Sequence, residues 1–248
     1  FAEGAQVLTY SATGGEADVR AERIVHAGTG VSFDVVVGDI VRRVDLPMPG
    51  AFNVANALCA IALAKSVGVP LDAAARALSG AKPVSGRMQP IDAGQPFRVI
   101  VDYAHTPESI RTILALLRRQ YPHGRLIVVT GSAGERDTTK RPLQGAACAE
   151  IADITVVTSE DPRHENPEAI NEEIVAGAVA AGAVRGETVL AITDRREAIV
   201  RAFELAQPGD CVLLAGKGHE TSIIWGSEHV PWNEAAVAEE VLRELFGG

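Results

Sequence analysis

Between Phe97 and Ala215, short apolar runs alternate with amphipathic stretches, and this alternation limits the possible folds more than any other feature. The strand candidates are Phe97 to Val101, Leu126 to Thr130, Ile154 to Thr158, Thr188 to Ile192 and Cys211 to Ala215. They are short and near-continuously apolar, as strands buried on both faces are. Between them, Ile110, Ile113, Leu114 and Leu117 share one helical face, with Arg111, Arg118 and Arg119 off it. Ala198, Ile199, Ala202 and Phe203 repeat that pattern, and Val237, Val241 and Leu245 mark a final helix. Such an alternation predicts a parallel sheet with helices on both faces.

The C-terminal domain is therefore expected to be Rossmann-like. No G-x-G-x-x-G follows its first strand, so a dinucleotide is not indicated. Upstream the character differs. Val7 to Tyr10, Ala21 to Val25, Val31 to Val37 and Val41 to Leu46 read as strands, with Gly38-Asp39 as a hairpin turn, and together they predict an antiparallel stretch of sheet. Asn53 to Ala64 is alanine-rich at helical spacing, with Gly68 as its stop, and Asn53 and Asn56 near its start read locally as caps. A short helix over Leu71 to Leu78 follows. The Gly/Pro/Ser-rich run Ser79 to Gly86 is the best domain boundary, giving domains at 1–85 and 86–248.

In an open parallel sheet, ligands bind at the carboxyl ends of the strands. Four predicted strand ends carry charged residues. The first runs into Asp102-Tyr103-Ala104-His105-Thr106-Pro107, and the second into Gly131 to Asp137 and on to Lys140-Arg141-Pro142. The third runs into Ser159-Glu160-Asp161-Pro162-Arg163-His164, and the fifth into Gly216-Lys217-Gly218-His219-Glu220. The alternating glycines of the last loop would let backbone N–H groups approach a ligand, although a plain turn with solvated charges fits the same spacing. Mixed signs at one sheet edge suit a ligand with both ammonium and carboxylate groups, since arginines grip carboxylates and acids hold amines.

The net charge of −9 argues against a nucleic-acid or membrane-surface binder. Cys59, Cys148 and Cys211 lie far apart in apolar segments, without metal-ligand spacing, and read as small buried hydrophobes in a reducing compartment. No metal-ligand set is evident.

Several blocks in order along the chain resemble the Mur ligases. They are Phe52 to Leu58, Gly86-Arg87-Met88, Asp102 to Pro107, Gly134-Glu135-Arg136-Asp137 with Lys140-Arg141-Pro142, Glu160-Asp161-Pro162-Arg163, and Gly216 to Glu220. The last block, with the arginine loop, is most similar to the MurE branch, which adds a diamino acid to UDP-N-acetylmuramoyl-L-alanyl-D-glutamate. The resemblance implies the end of a central ATP-binding domain followed by the amino-acid-binding C-terminal domain. It implies ATP and Mg²⁺ as cofactors, an acyl phosphate intermediate, UDP-MurNAc-dipeptide and diamino acid as substrates, and a monomeric cytoplasmic enzyme with neither nucleic acid nor membrane as partner.

By that resemblance, Asn53, Asn56, Arg87, Asp102 and His105 would lie on the nucleotide. Arg136, Asp161, Arg163, Gly216 and Glu220 would bind the amino acid, with Lys217 and His219 ordering the loop. Two departures stand out. Glu160-Asp161 replaces the usual Asp-Asn, while Arg163, suited to the distal carboxylate of meso-diaminopimelate, is kept. The extra charge at Asp161 leaves lysine or ornithine open as the added amino acid. No G-x-x-x-x-G-K-[ST] phosphate loop occurs, and the chain begins at Phe1 rather than Met. The expectation is a fragment of a longer ligase, inactive alone and without catalytic residues of its own. A non-catalytic ligase-like binding module is one alternative, and a folylpolyglutamate synthetase-like ligase is another.

Overall fold

The computed structural model describes residues 7–27 and 30–247. The chain divides into two compact units, Phe1–Pro83 and Val84–Gly248. The N-terminal unit is a sheet in the order β1 (Tyr10–Ser11), β2 (Val19–Ala27), β3 (Gly30–Val37), β4 (Ile40–Leu46), with helices α1 (Ala51–Ser66) and α2 (Leu71–Ser79). The alternating inward residues of β3, Phe33 and Val35, pack with Val19, Val44, Val54, Leu58 and Ile61 into one core. Gly38, at φ +56°, opens the two-residue turn between Val37 and Ile40, where a hairpin needs glycine.

Two expectations fail here. The first strand is shorter than Val7 to Tyr10 and pairs parallel to β2, not antiparallel. Just before it, Asp18 Oδ2 accepts from the N–H and hydroxyl of Thr9, both at 2.8 Å, so a side chain takes the bonds a ladder would have used. Neither asparagine caps α1. Its N-cap is Gly50, while Asn53 Nδ2 turns back to donate to the Pro49 carbonyl at 2.7 Å.

The C-terminal unit holds β5 (Gln89–Ile91), β6 (Arg98–Asp102), β7 (Leu126–Thr130), β8 (Ile154–Val157), β9 (Val189–Ala191) and β10 (Cys211–Ala215). Their order is β5-β6-β10-β7-β8-β9, parallel throughout except for β5. The helices are α3 (Pro107–Gln120), α4 (Lys140–Ala149), α5 (Pro167–Ala180), α6 (Arg195–Leu205) and α7 (Glu234–Phe246), with a hairpin β11 (Ser222–Trp225) and β12 (Glu228–Pro231) before α7. From β6 to β9 the chain steps in one direction across the sheet and then reverses to place β10 beside β6. Right-handed crossovers therefore put α3, α4 and α5 on one face and α6 on the other. On the α6 face, Ala198, Phe203, Val241 and Leu242 pack on Val99, Val129, Val212 and Leu214. The final helix buries Ala238, Val241 and Leu242, whereas Leu245, expected on that face, is 38% exposed near the helix end.

Local chemistry sets the helix starts. Thr106 and Ser109 form a reciprocal capping box with Pro107 in the first turn of α3, and Asn166, Asp194 and Asn233 cap α5, α6 and α7. Cys148 and Cys211 are buried free thiols, and burial pushes both up to about 12, so they stay protonated. Among the described residues, no helix is long and apolar enough to cross a membrane.

Candidate functional site

The outgoing chain of β10 leads to the β11–β12 hairpin and α7, while those of its neighbours β6 and β7 lead to α3 and α4 on the opposite face. The strand ends around β10 are thus a topological switch point, where an open α/β sheet forms its ligand crevice. Ala215 pairs with Asp102, so Gly216 and Tyr103 leave the sheet side by side.

The loop after β10 is not a solvated turn. Lys217 is fully buried, a costly position for an ammonium unless it is paired. Its Nζ donates to Asp161 Oδ1 at 2.8 Å and is ion-paired with Glu220 Oε2 at 2.5 Å. Asp161 Oδ1 also accepts from the Ile224 N–H at 3.0 Å, which joins the end of β8 to β11. The negative charge that marks Asp161 as unusual is therefore balanced within the protein.

Gly218 of this loop and Gly86 packed against it serve close packing. A Cβ on Gly218 would lie 2.7 Å from Tyr103 Cβ, and one on Gly86 would lie 2.2 Å from the Gly218 carbonyl carbon. Gly216, at φ +106°, faces the Glu160 carboxyl, with its Cβ position 3.4 Å from Oε2. Glu160 is itself buried, and its Oε2 has no hydrogen-bond partner in the protein. Burial pushes this carboxyl up to about 7, against the pull of Lys140, Arg195 and Lys217 and with the repulsion of Asp161.

Arg163 lies in the left-handed region at φ 54°, an uncommon conformation for a residue with a side chain. The hairpin holds it there. Its N–H donates to the Ile224 carbonyl at 3.0 Å, and its carbonyl accepts from the Gly226 N–H at 2.7 Å. Its Nε is buried without a protein partner. Arg136 is exposed, on a loop anchored where the Gly134 N–H donates to the Asp161 carbonyl at 2.8 Å. Arg136, Asp161, Arg163, Gly216 and Glu220 thus all sit on strand-end loops of the C-terminal unit.

Of the residues expected on the nucleotide, Asp102 faces inward. Its two oxygens accept from the N–H groups of Met88 and Ala104, both at 2.8 Å, and burial raises its pKa despite those bonds. It braces the incoming segment against the strand end. Arg87 is exposed and lies over the Tyr103 ring, its guanidinium carbon 4.6 Å from the centroid. His105 Nδ1 is 2.9 Å from the Tyr103 carbonyl, and the Lys140 ammonium donates to the His105 carbonyl at 3.0 Å. Asn53 and Asn56 lie on α1 of the N-terminal unit, joined by a 3.3 Å side-chain bond.

Three residues given no role from the sequence build this edge. Tyr103 donates its hydroxyl to Glu220 Oε1 at 3.2 Å. Arg195, fully buried at the start of α6, donates to the carbonyls of Ser159 and Ala215 at 3.2 and 2.8 Å. It thereby fixes the backbone just before Glu160 and Gly216, while Glu234 Oε1, 2.6 Å away, balances its charge. Arg141, 1% exposed, donates to Glu165 and to the Ala133 carbonyl and ties down the loop after β7. Tyr103 and Arg141 carried a sequence signal, their places in the Asp102–Pro107 run and the Lys-Arg-Pro block, whereas Arg195 carried none.

Comparison with known proteins places this arrangement in a family. The Mur ligase glutamate ligase domain matches residues 86–218, and the Mur ligase middle domain matches residues 2–64. The chain belongs to the Mur ligase family. It is 49% identical over 245 residues to a UDP-N-acetylmuramyl-tripeptide synthetase of Roseiflexus sp. (strain RS-1), covering 98% of this chain and 48% of that protein. It is 41% identical over 239 residues to a UDP-N-acetylmuramoyl-L-alanyl-D-glutamate–2,6-diaminopimelate ligase of Caldanaerobacter subterraneus subsp. tengcongensis, covering 96% of this chain and 48% of that one. A solved structure of a ligase of that second name matches 96% of this chain and 48% of its own, at 33% identity and a TM-score of 0.61. A folylpolyglutamate synthase from Mycobacterium tuberculosis shares the fold at 20% identity and a TM-score of 0.67. The chain spans about half the length of the curated relatives it matches.

Proposed function

We propose that the full-length protein is an ATP-dependent ligase of peptidoglycan precursor synthesis. It adds meso-diaminopimelate to the D-glutamate side-chain carboxylate of UDP-N-acetylmuramoyl-L-alanyl-D-glutamate. The observation that carries this choice is Arg163, whose backbone is pinned by the hairpin while its buried Nε has no protein partner. A guanidinium held this way favours a planar carboxylate over an ammonium. The names of the relatives point to the same substrate.

In this reading, Arg136 and Arg163 bind carboxylates of the incoming amino acid, and Gly216 and Glu220 hold its far amine. Asp161, its charge met by Lys217, supports that loop and adds little net pull on a distal ammonium. Asn53, Asn56, Arg87 and His105 serve the nucleotide, and Asp102 serves it by bracing the loop. The chain's own contribution is orientation: its strand-end loops would hold the attacking amine in line with an activated carboxylate and keep water away from it. ATP supplies the activation, and Mg²⁺ offsets phosphate charge. Among the described residues no group of three or more His, Cys, Asp or Glu side chains could hold a metal ion. The sequence also carries no phosphate loop, so neither role is assigned to residues of this chain.

The test is turnover of the full-length protein with UDP-MurNAc-dipeptide and ATP, comparing meso-diaminopimelate with lysine. Faster turnover with lysine overturns the choice of amino acid, and the absence of amide-bond formation with either overturns the ligase assignment.

A further inference from the structure

Tyr103 stands where the two groups of loop residues meet. Its ring lies under the Arg87 guanidinium, and its centroid is 4.7 Å from the His105 ring and 4.9 Å from the His219 ring. Its hydroxyl reaches Glu220 Oε1 at 3.2 Å. Two glycines without room for a Cβ hold the same spot closed, Gly218 against Tyr103 and Gly86 against the Gly218–His219 peptide. Burial, together with the nearby Glu220 and Glu160 charges, raises the phenol further above its usual range, so the hydroxyl stays protonated and donates.

We propose that Tyr103 is a positioning residue that joins the two half-sites, its ring orienting Arg87 for the nucleotide and its hydroxyl orienting Glu220 for the incoming amino acid. This rests on the function proposed above. The two jobs use different atoms of one side chain and can be separated. Lys217 holds only Oε2 of Glu220 and leaves the carboxylate free to rotate about that contact. The hydroxyl on Oε1 fixes its plane. Arg87 is exposed and enters no ion pair among the described residues, so the ring face is what sets its direction.

The experiment uses the full-length protein and calorimetric affinities for meso-diaminopimelate and for a non-hydrolysable ATP analogue, alongside ligation turnover. Tyr103→Phe keeps the ring and removes the hydroxyl. It should weaken meso-diaminopimelate binding roughly fivefold, the worth of a typical net hydrogen bond, and leave analogue binding within about twofold. Tyr103→Leu should weaken both. In a Glu220→Ala background, Tyr103→Phe should have no further effect on amino-acid binding. A fall of both affinities together in Tyr103→Phe, no change in either, or an additive effect beside Glu220→Ala would overturn the proposal. If the wild type forms no amide bond, the functional reading fails. If the wild type ligates and the Phe variant binds the amino acid unchanged, only the role of Tyr103 fails.

Discussion

Glu160 ties the stability of the C-terminal unit to pH in a direction opposite to that of most carboxylates. Its side chain is buried, with Gly131 against its Cβ, Gly216 against its carboxyl, and Oε2 unpartnered. The charged groups facing it are Lys140 from α4, Arg195 from α6, Lys217 from the β10 loop and its neighbour Asp161. Desolvation outweighs the three cations, and the group titrates at about 7 in place of the ordinary 4.5. Between those values the folded chain keeps a proton that the unfolded chain has released, so stability falls as pH rises. The protonated carboxyl's support is complete below the unfolded value and is withdrawn as pH climbs through 7. At about 1.4 kcal/mol per pH unit, the interval corresponds to about 3 kcal/mol. Glu160→Gln keeps the shape and cannot ionise. Urea unfolding of both proteins should be followed by tryptophan fluorescence, which reports the C-terminal unit because Trp225 and Trp232 both lie there. From pH 4.5 to 8, the wild type should lose about 3 kcal/mol relative to the variant. Parallel stability curves for the two proteins would refute the reasoning, because they would mean that Glu160 titrates normally or that water reaches it.

The other predictions concern single ion pairs and contacts. Arg163→Ala in the full-length enzyme should raise the amino-acid KM by about tenfold or more, the worth of a charge-assisted carboxylate contact, and leave the ATP KM nearly unchanged; equal effects on both would remove Arg163 from its role. Asp161→Asn should leave the preference between meso-diaminopimelate and lysine within about twofold and lower stability by roughly 1–3 kcal/mol, because Lys217 loses a buried partner. A switch towards meso-diaminopimelate in competition assays would show that the Asp161 charge does reach the ligand. Breaking the buried Arg195–Glu234 pair with Glu234→Leu should cost about 3–5 kcal/mol in urea unfolding, and adding Arg195→Met should restore only part of it, because the Ser159 and Ala215 carbonyls and the Trp232 indole N–H then lack their partners.

The parallel sheet was legible because its strands are buried on both faces and so carry unbroken apolar runs. Leu126–Thr130 and Cys211–Ala215 match their predicted bounds to the residue. The buried faces of α3 and α6 followed from their spacing for the same reason. β5 could not be read, since three residues with a proline at the centre give no period. The β11–β12 hairpin could not be read either, because β12 is exposed along its length and lacks an apolar face. The site was legible as a set of charged strand ends, but which charges turn inward was not. Lys217 is buried by a partner 56 residues away and Arg195 by one 39 residues away, and such pairs leave no local pattern. Asn53 failed for the opposite reason: a cap is a local inference, and Gly50 already supplies the start of the helix.

On the function proposed above, the charges already spent within the protein account for how one sheet edge would bind a zwitterion without gripping it indiscriminately. Lys217 is fully buried between Asp161 and Glu220, and Arg195 is closed by Glu234, so neither cation is offered to solvent. Asp161 is closed by the same ammonium that pairs with Glu220. What remains for a ligand is narrow: the Arg163 guanidinium edge, the exposed Arg136 and the part of Glu220 that Tyr103 and Lys217 leave open. A carboxylate on one side and an ammonium on the other meet that remainder in charge. An amino acid whose side chain ends in an amine alone would leave the Arg163 donor unpaired as it is in the free protein, and would forgo the gain that a distal carboxylate makes there. Selectivity of this kind would depend on Lys217 staying buried against Asp161, because freeing Asp161 would add a second acceptor for a distal amine and blur the distinction.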